Sequence, residues 1–231
     1  MPETKSILIT GGTGALGGTV VETAIRRGHS VAVVYIVAAE WEALQRQVGE
    51  TDRLLGLEGD VLSPDFMAGA VRQTVDRFGR LDALLHLVGA YRYTPFEEMS
   101  QDVWQRLLAL NLTSAAITAQ AVLPALETGG SMVFVGAEAA FSAPGGQAAY
   151  NTAKAGVLTL AATLAHELRP RGIRVNSIVP DIIDTPANRA SLPNSNPDRW
   201  LKPEQVADTL LYLISDAASG VTGAAVKLQR T

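Results

Sequence analysis

Ser6-Ile7-Leu8-Ile9-Thr10-Gly11-Gly12-Thr13-Gly14-Ala15-Leu16-Gly17-Gly18 is the stretch from which the fold is read. Its first five residues form an apolar run suited to a strand buried on both faces. The glycines break that run, and Val20, Val21, Ala24 and Ile25 then recur at helical spacing up to Gly28. Strand, glycine-rich turn and helix together let backbone N–H groups and a helix N-terminus hold a pyrophosphate. Glycine is needed wherever a side chain would block that approach. A second strand over 30–36 completes a βαβ unit, and in that context the pattern points to a dinucleotide more than to a turn without a ligand.

Outward from this unit the alternation continues. Residues 39–48 read as a helix, 54–57 as a strand, 64–78 as a helix opened by Pro64, and 81–88 as a strand. One long helix is expected over 100–126, with Ser100 as its N-cap. A strand over 131–135, a helix over 147–168, a strand over 173–179, a helix over 203–215 and a strand over 224–228 complete the chain. Seven apolar strands separated by six helical segments predict an α/β, Rossmann-type doubly wound fold, a seven-stranded parallel sheet with helices on both faces. Neither a linker nor a repeat interrupts it, so 1–231 reads as one dinucleotide-binding domain. The irregular stretch 181–201, rich in Pro and Asn, follows a strand's carboxyl end, where such sheets bind ligands. It reads as a substrate-binding loop.

Composition narrows the function classes. A net charge of −4 offers no electrostatic reason to expect nucleic acid or an anionic membrane. No segment has the uninterrupted apolar length of about 20 residues that a membrane span needs, and the apolar run within 1–10 is too short for a signal peptide. A cytoplasmic protein is expected. The absence of cysteine excludes disulfides, thiolate metal sites and a cysteine nucleophile, and three scattered histidines suggest no metal constellation.

The chemistry is expected from Tyr150-Asn151-Thr152-Ala153-Lys154. Four residues apart in a helical run, Tyr150 and Lys154 fall on one face. A cation beside a phenol favours the phenolate and draws down a reference pKa of about 10. That would make an acid able to give a proton near neutrality. By itself the spacing is common on solvated helix faces.

With these pieces in order, the chain resembles the short-chain dehydrogenase/reductase family along nearly its whole length. Thr10-Gly11-x-x-Gly14-x-x-Gly17 matches the cofactor turn, with Ala15 where the common form has a third glycine. Asp60-Val61 matches the pair lying against the adenine, and Asn111 the helix asparagine that organises a water-linked proton relay. Tyr150-x-x-x-Lys154 is the active-site pair. Arg174 to Pro180 matches the following strand, and Thr185 the threonine that meets the nicotinamide carboxamide.

The resemblance implies that Tyr150 is the proton donor, with Lys154 lowering its pKa and binding the nicotinamide ribose, and that Asn111 serves the relay. It places NAD(P)(H) against Gly11, Thr13, Gly14, Ala15, Leu16, Gly17, Tyr35, Ile36, Asp60, Val61, Gly89, Lys154, Pro180, Ile183 and Thr185. A small-molecule substrate and a homodimer or homotetramer through the helices over 100–126 and 147–168 are likewise implied. The choice between NAD and NADP stays open, because Tyr35 and Ile36, ending the second strand, are neither acid nor base.

Three departures stand out. The family's catalytic serine falls at position 137, which is alanine; Ser142 is the nearest hydroxyl. The usual Asn-Asn-Ala-Gly is His86-Leu87-Val88-Gly89, with His86 read as a strand residue, and the Gly after Pro180 is Asp181. The dihydropteridine reductase branch also lacks the serine. Gly136-Ala137-x-Ala139-Ala140 and Asp184-Thr185-Pro186-x-Asn188-Arg189 resemble it, and Tyr91 stands where that enzyme carries an aromatic over its pterin site. Tyr91, Ala137, Tyr150 and Asn188 are thus the expected substrate contacts. The expected activity is an NAD(P)H-dependent reductase acting on a small conjugated or carbonyl substrate, such as a quinonoid dihydropterin. The alternative is a nucleotide-binding sensor or interaction protein on the same fold with little or no catalysis.

Overall fold

The computed structural model describes residues 4–230. Positions 1–3 and 231, part of the expected 1–231 domain, lie outside the described residues, as does the start of the 1–10 segment. In chain order the elements are β1 (Ser6–Thr10), α1 (Ala15–Arg26), β2 (Ser30–Tyr35), α2 (Ala38–Val48), β3 (Leu54–Glu58), α3 (Pro64–Phe78) and β4 (Leu81–His86). There follow α4 (Gln101–Leu108), α5 (Ser114–Val122), β5 (Leu126–Val135), α6 (Ala139–Ser142), α7 (Ala148–Glu167), β6 (Arg174–Pro180), α8 (Pro186–Ser191), α9 (Pro203–Ile214) and β7 (Ala225–Leu228). All seven strands are parallel, in the order β3-β2-β1-β4-β5-β6-β7.

Two apolar layers sandwich the sheet. Val20 and Val21 of α1, Leu44 of α2 and Leu210 and Leu213 of α9 pack on one face with Ile7, Ile9 and Val33. Met67 and Ala70 of α3, Ala115 and Ala119 of α5 and Val157 and Ala161 of α7 cover the other, with Leu8, Leu84 and Phe134. Chain order reverses at β1, which has β2 on one side and β4 on the other, so a crevice opens beyond the carboxyl ends of β1 and β4.

The expected single helix over 100–126 is replaced by three parts. Ser100 does cap α4, its Oγ accepting from the Val103 N–H at 3.3 Å. The helix then widens into a π-helical turn over Ala109–Thr113 before α5. α5 ends at Val122, and Leu126 already belongs to β5, because Pro124 has no N–H to continue the ladder. The 181–201 stretch is also more ordered than expected: it holds α8, a short 3₁₀ turn over Pro197–Arg199 and a parallel bridge between Ile183 and Leu201. The small residues of the helices over 100–126 and 147–168 suit either a subunit interface or the chain's own sheet; Ala115, Ala119, Ala153, Ala161 and Ala165 are buried within the chain's own core, while Ala116 and Ala162 are half-buried.

Candidate active site

The turn between β1 and α1 is held by backbone proximity. Gly11 takes a φ of +73°, and a Cβ on it would meet the Val88 backbone nitrogen at 3.0 Å. A Cβ on Gly17 would come within 2.2 Å of the Gly11 carbonyl oxygen and 2.7 Å of Gly12 Cα. Gly14 differs: its nearest such neighbour is 3.5 Å away, so its outer side is open. Gly14 is also the N-cap of α1, with no side-chain hydrogen bond across the helix end and no acidic residue in the first turn. A glycine cradle leading into a helix N-terminus without a side-chain cap fits an anionic phosphate group. The turn from Gly11 to Gly17 therefore fits a phosphate group of the kind a dinucleotide carries.

Farther along the crevice the expected adenosine contacts take different states. Val61 is buried, whereas Asp60 is exposed and accepts from the Leu62 N–H at 2.9 Å, which commits one oxygen to the local turn. Ile36 is exposed, and Tyr35 stacks on Trp41 with centroids 5.1 Å apart and an interplanar angle of 6°. The Thr13 hydroxyl donates to Glu40 Oε2 at 2.9 Å. Sequence reading did not single out Glu40, which lies beyond the strand end where a coenzyme-selecting acid is sought.

At the other end four elements converge. Gly89, after β4, faces Asn111 and Lys154: a Cβ on it would lie 2.8 Å from Asn111 Oδ1 and 3.2 Å from Lys154 Nζ. Asn111 sits in the π turn, and its amide nitrogen donates to the carbonyls of Ala90 at 2.8 Å and Leu107 at 2.9 Å, while its oxygen accepts from the Ala90 N–H at 3.2 Å. The side chain thus ties the loop after β4 to the helix, and the π turn presents it there. Lys154 is buried and donates to the Val135 carbonyl at 2.8 Å. Its Nζ lies 5.8 Å from the centroid of the Tyr150 ring.

Tyr150 is contacted edge-on by Tyr91, with centroids 5.2 Å apart and planes at 89°. That contact is placed by the loop after β4 docking on the segment before α7, where the Thr94 N–H donates to the Gly146 carbonyl at 2.8 Å. A Cβ on Gly146 would strike the Tyr93 ring at 2.2 Å. Ala137 is buried beside the site and brings no hydroxyl. Ser142 does not restore one there: it is exposed, and its Oγ donates to the Glu138 carbonyl at 3.2 Å.

The electrostatics correct one expectation. Lys154 was expected to draw Tyr150 down, but with the chain's own groups burial dominates and the phenol is pushed up to about 12, Tyr91 adding to the shift. Burial lowers Lys154 to about 8. Desolvation sets the direction for both groups. Tyr150 consequently keeps its proton at neutral pH.

His86 is buried in β4, and its role is scaffolding. Ser114 Oγ donates to the Leu110 carbonyl at 2.7 Å, so it accepts from His86 Nε2–H at 3.1 Å, and His86 Nδ1 then accepts from the Thr10 hydroxyl at 2.8 Å. This links the glycine turn to the helix following Asn111. Burial, with Lys154 adding to it, lowers His86 to about 3. An unfolded chain binds this proton first as pH falls below about 6.5, so stability present above that pH is lost toward pH 3 at about 1.4 kcal/mol per pH unit. Urea unfolding at pH 6.5 and 5 should show His86→Asn losing about 2 kcal/mol less than the unaltered protein over that interval. Equal losses would exclude His86 as the source.

The residues expected in the substrate-binding loop lie together. Thr185 caps α8, its hydroxyl accepting from the Asn188 N–H at 3.2 Å. Asn188, an expected substrate contact, donates its side-chain amide to the Ile183 carbonyl at 2.8 Å and so braces the loop. Asp184 is held well below the usual carboxylate range by hydrogen bonds from Arg189 and Lys202. A cleft of about 680 Å³ lies elsewhere, at the amino ends of β4 and β5 beside Arg72, Asp82 and Glu127. Among the described residues there is no metal-holding cluster and no helix long and apolar enough to cross a membrane.

Comparison with known proteins is consistent with this geometry. A family model described as enoyl-(acyl carrier protein) reductase matches residues 13–229. D-threitol dehydrogenase of Mycolicibacterium smegmatis is 31% identical, covering 95% of this chain and 89% of its own. The chain belongs to the short-chain dehydrogenase/reductase family. L-rhamnose 1-dehydrogenase (NAD(P)(+)) of a Sphingomonas species is 30% identical to this short-chain dehydrogenase/reductase, over 97% of this chain and 94% of the relative. A crystal structure of a short-chain dehydrogenase/reductase, glucose/ribitol dehydrogenase, from Brucella melitensis superposes with a TM-score of 0.88 at 28% identity, covering 98% and 95% of the two chains. This short-chain dehydrogenase/reductase is accordingly an oxidoreductase.

Proposed function

We propose that this protein is an NAD(P)H-dependent reductase that delivers hydride to a small conjugated or carbonyl acceptor, with Tyr150 as proton donor. The convergence of Gly89, Asn111, Lys154 and Tyr150 at the carboxyl end of the sheet carries this reading. When bound, the reduced nicotinamide supplies the hydride. The chain supplies the rest: Lys154 and Asn111 hold the floor of the site, and Tyr150 presents its proton. Pro180, Ile183 and Thr185 would line the nicotinamide end, and the 181–201 segment, clamped through Asp184, would cover the substrate. The name of the L-rhamnose relative, which includes NAD(P)+, supports the coenzyme class.

The acceptor class is inferred from Ala137 and Tyr91. Ala137 offers no hydroxyl to assist Tyr150. An electron-poor conjugated acceptor needs less stabilisation of developing charge than a simple ketone. The Tyr91 ring beside Tyr150 suits a flat substrate, and the stretches resembling dihydropteridine reductase support a quinonoid dihydropterin as the acceptor to test. Coenzyme oxidation should be followed with quinonoid dihydropterin, quinones and cyclic ketones, for the unaltered protein and Ala137→Ser. The unaltered protein should favour the conjugated acceptors about tenfold or more in kcat/KM, and Ala137→Ser should raise ketone reduction selectively by about tenfold. Ketones turned over as fast as quinonoid acceptors would defeat the acceptor assignment. Coenzyme binding without turnover on any acceptor would favour a nucleotide-binding sensor instead.

A further inference from the structure

We propose that Glu40 makes this protein select the dinucleotide with a free adenosine ribose over its 2′-phosphorylated counterpart. The proposal rests on the reading that a nicotinamide dinucleotide binds the glycine-rich turn, and it assigns the selectivity to a residue outside the end of β2.

Three observations carry it. First, the Thr13 hydroxyl, in the turn between β1 and α1, donates to Glu40 Oε2 at 2.9 Å. That bond brings a carboxylate from the first turn of α2 across to the turn, and both residues line one cleft of about 210 Å³ together with Gly14 and Ala15. One carboxylate oxygen accepts from Thr13, which leaves the other to accept from a ribose hydroxyl.

Second, Glu40 is held in place by its neighbour. The Trp41 ring stacks on Tyr35. It also lies over Gly56 of β3, where a Cβ would come within 2.4 Å of the indole. An indole packed on the end of β2 and the middle of β3 anchors the first turn of α2. The same stack explains why Tyr35 can replace the acid that commonly ends β2: the selecting carboxylate arrives from the helix instead.

Third, the charges have one sign. Residues 10–16 and 35–44 contain no Lys or Arg, whereas Glu40 lies in the first turn of α2 and Glu58 and Asp60 lie at or just beyond the carboxyl end of β3. A phosphate monoester of nearly two negative charges entering there would find no cation to pair with it. A ribose diol would find an acceptor.

Titrating NADH and NADPH separately by the change in nicotinamide fluorescence tests this without turnover. The unaltered protein should bind NADH at least about tenfold more tightly at low salt, and the preference should shrink as salt screens an exposed carboxylate. Glu40→Gln should narrow the ratio by a gain in NADPH affinity, and Glu40→Arg should reverse it. Equal affinities in the unaltered protein, or an unchanged ratio in both variants, would overturn the role of Glu40 alone. Failure of the unaltered protein to bind either dinucleotide would overturn the dinucleotide reading and this proposal with it.

Discussion

Tyr150→Phe is expected to lower reductive turnover by about 10³-fold while leaving NADH affinity within about twofold. Phenylalanine keeps the ring, and with it the edge contact to Tyr91 and the face near the Lys154 ammonium. What it removes is the phenolic hydroxyl, which neither alanine at position 137 nor Ser142, bonded to its own helix, replaces. A phenol pushed up to about 12 holds its proton at neutral pH, so in the reductive direction the loss falls on proton delivery. Steady-state rates with a quinonoid acceptor, a coenzyme titration and a melting curve on the same variant separate chemistry from folding. Turnover close to that of the unaltered protein, with the fold intact, would exclude Tyr150 as the donor.

Gly17→Ala should be the most damaging single methyl in the molecule. Its Cβ would stand 2.2 Å from the Gly11 carbonyl oxygen and 2.8 Å from the Gly12 carbonyl carbon, and both are backbone atoms of the turn itself. The turn cannot retreat, because Gly11 already adopts a φ of +73° and lies close to the Leu87–Val88 backbone. Relief requires separating α1 from the turn, which opens the cradle. A stability loss of about 1–3 kcal/mol is expected from such overpacking, with dinucleotide affinity falling by about tenfold or more as the α1 amides lose their aim. Gly14→Ala is the control: its Cβ would meet only the Gly11 carbonyl oxygen at 3.5 Å. It should leave the unfolding midpoint nearly unchanged and weaken only the ligand. Urea unfolding and an NADH titration on both variants decide the matter. Similar stabilities for the two would mean that the close packing at Gly17 does not support the turn.

Much of this was legible in the chain because it depends on short-range periodicity. Apolar runs of strand length, the glycines from Gly11 to Gly18 and the four-residue step from Tyr150 to Lys154 each carry their structural meaning within a few residues. The pattern therefore led to the seven-stranded parallel sheet and to the pairing of Tyr150 with Lys154 on one helix. The break over 109–113 was not legible, because Asn111 bonds to Ala90, in a different loop. Leu126 was placed on the helix although Pro124 had already ended it, since apolar continuity outweighed the missing N–H. Ala115, Ala119 and Ala161 were small enough for a subunit interface, and only packing showed that they face their own sheet.

By itself, then, the sequence determined the architecture, the glycine-rich turn after β1 and the placing of Tyr150 and Lys154 on one helix, all of which follow from local residue chemistry. Tertiary structure alone decided how those groups behave. It pushed Tyr150 up instead of down, because burial is a property of the assembled core. It made His86 a neutral tie between Thr10 and Ser114. It brought Glu40 to Thr13 across two elements, where a carboxylate can distinguish one ribose from another.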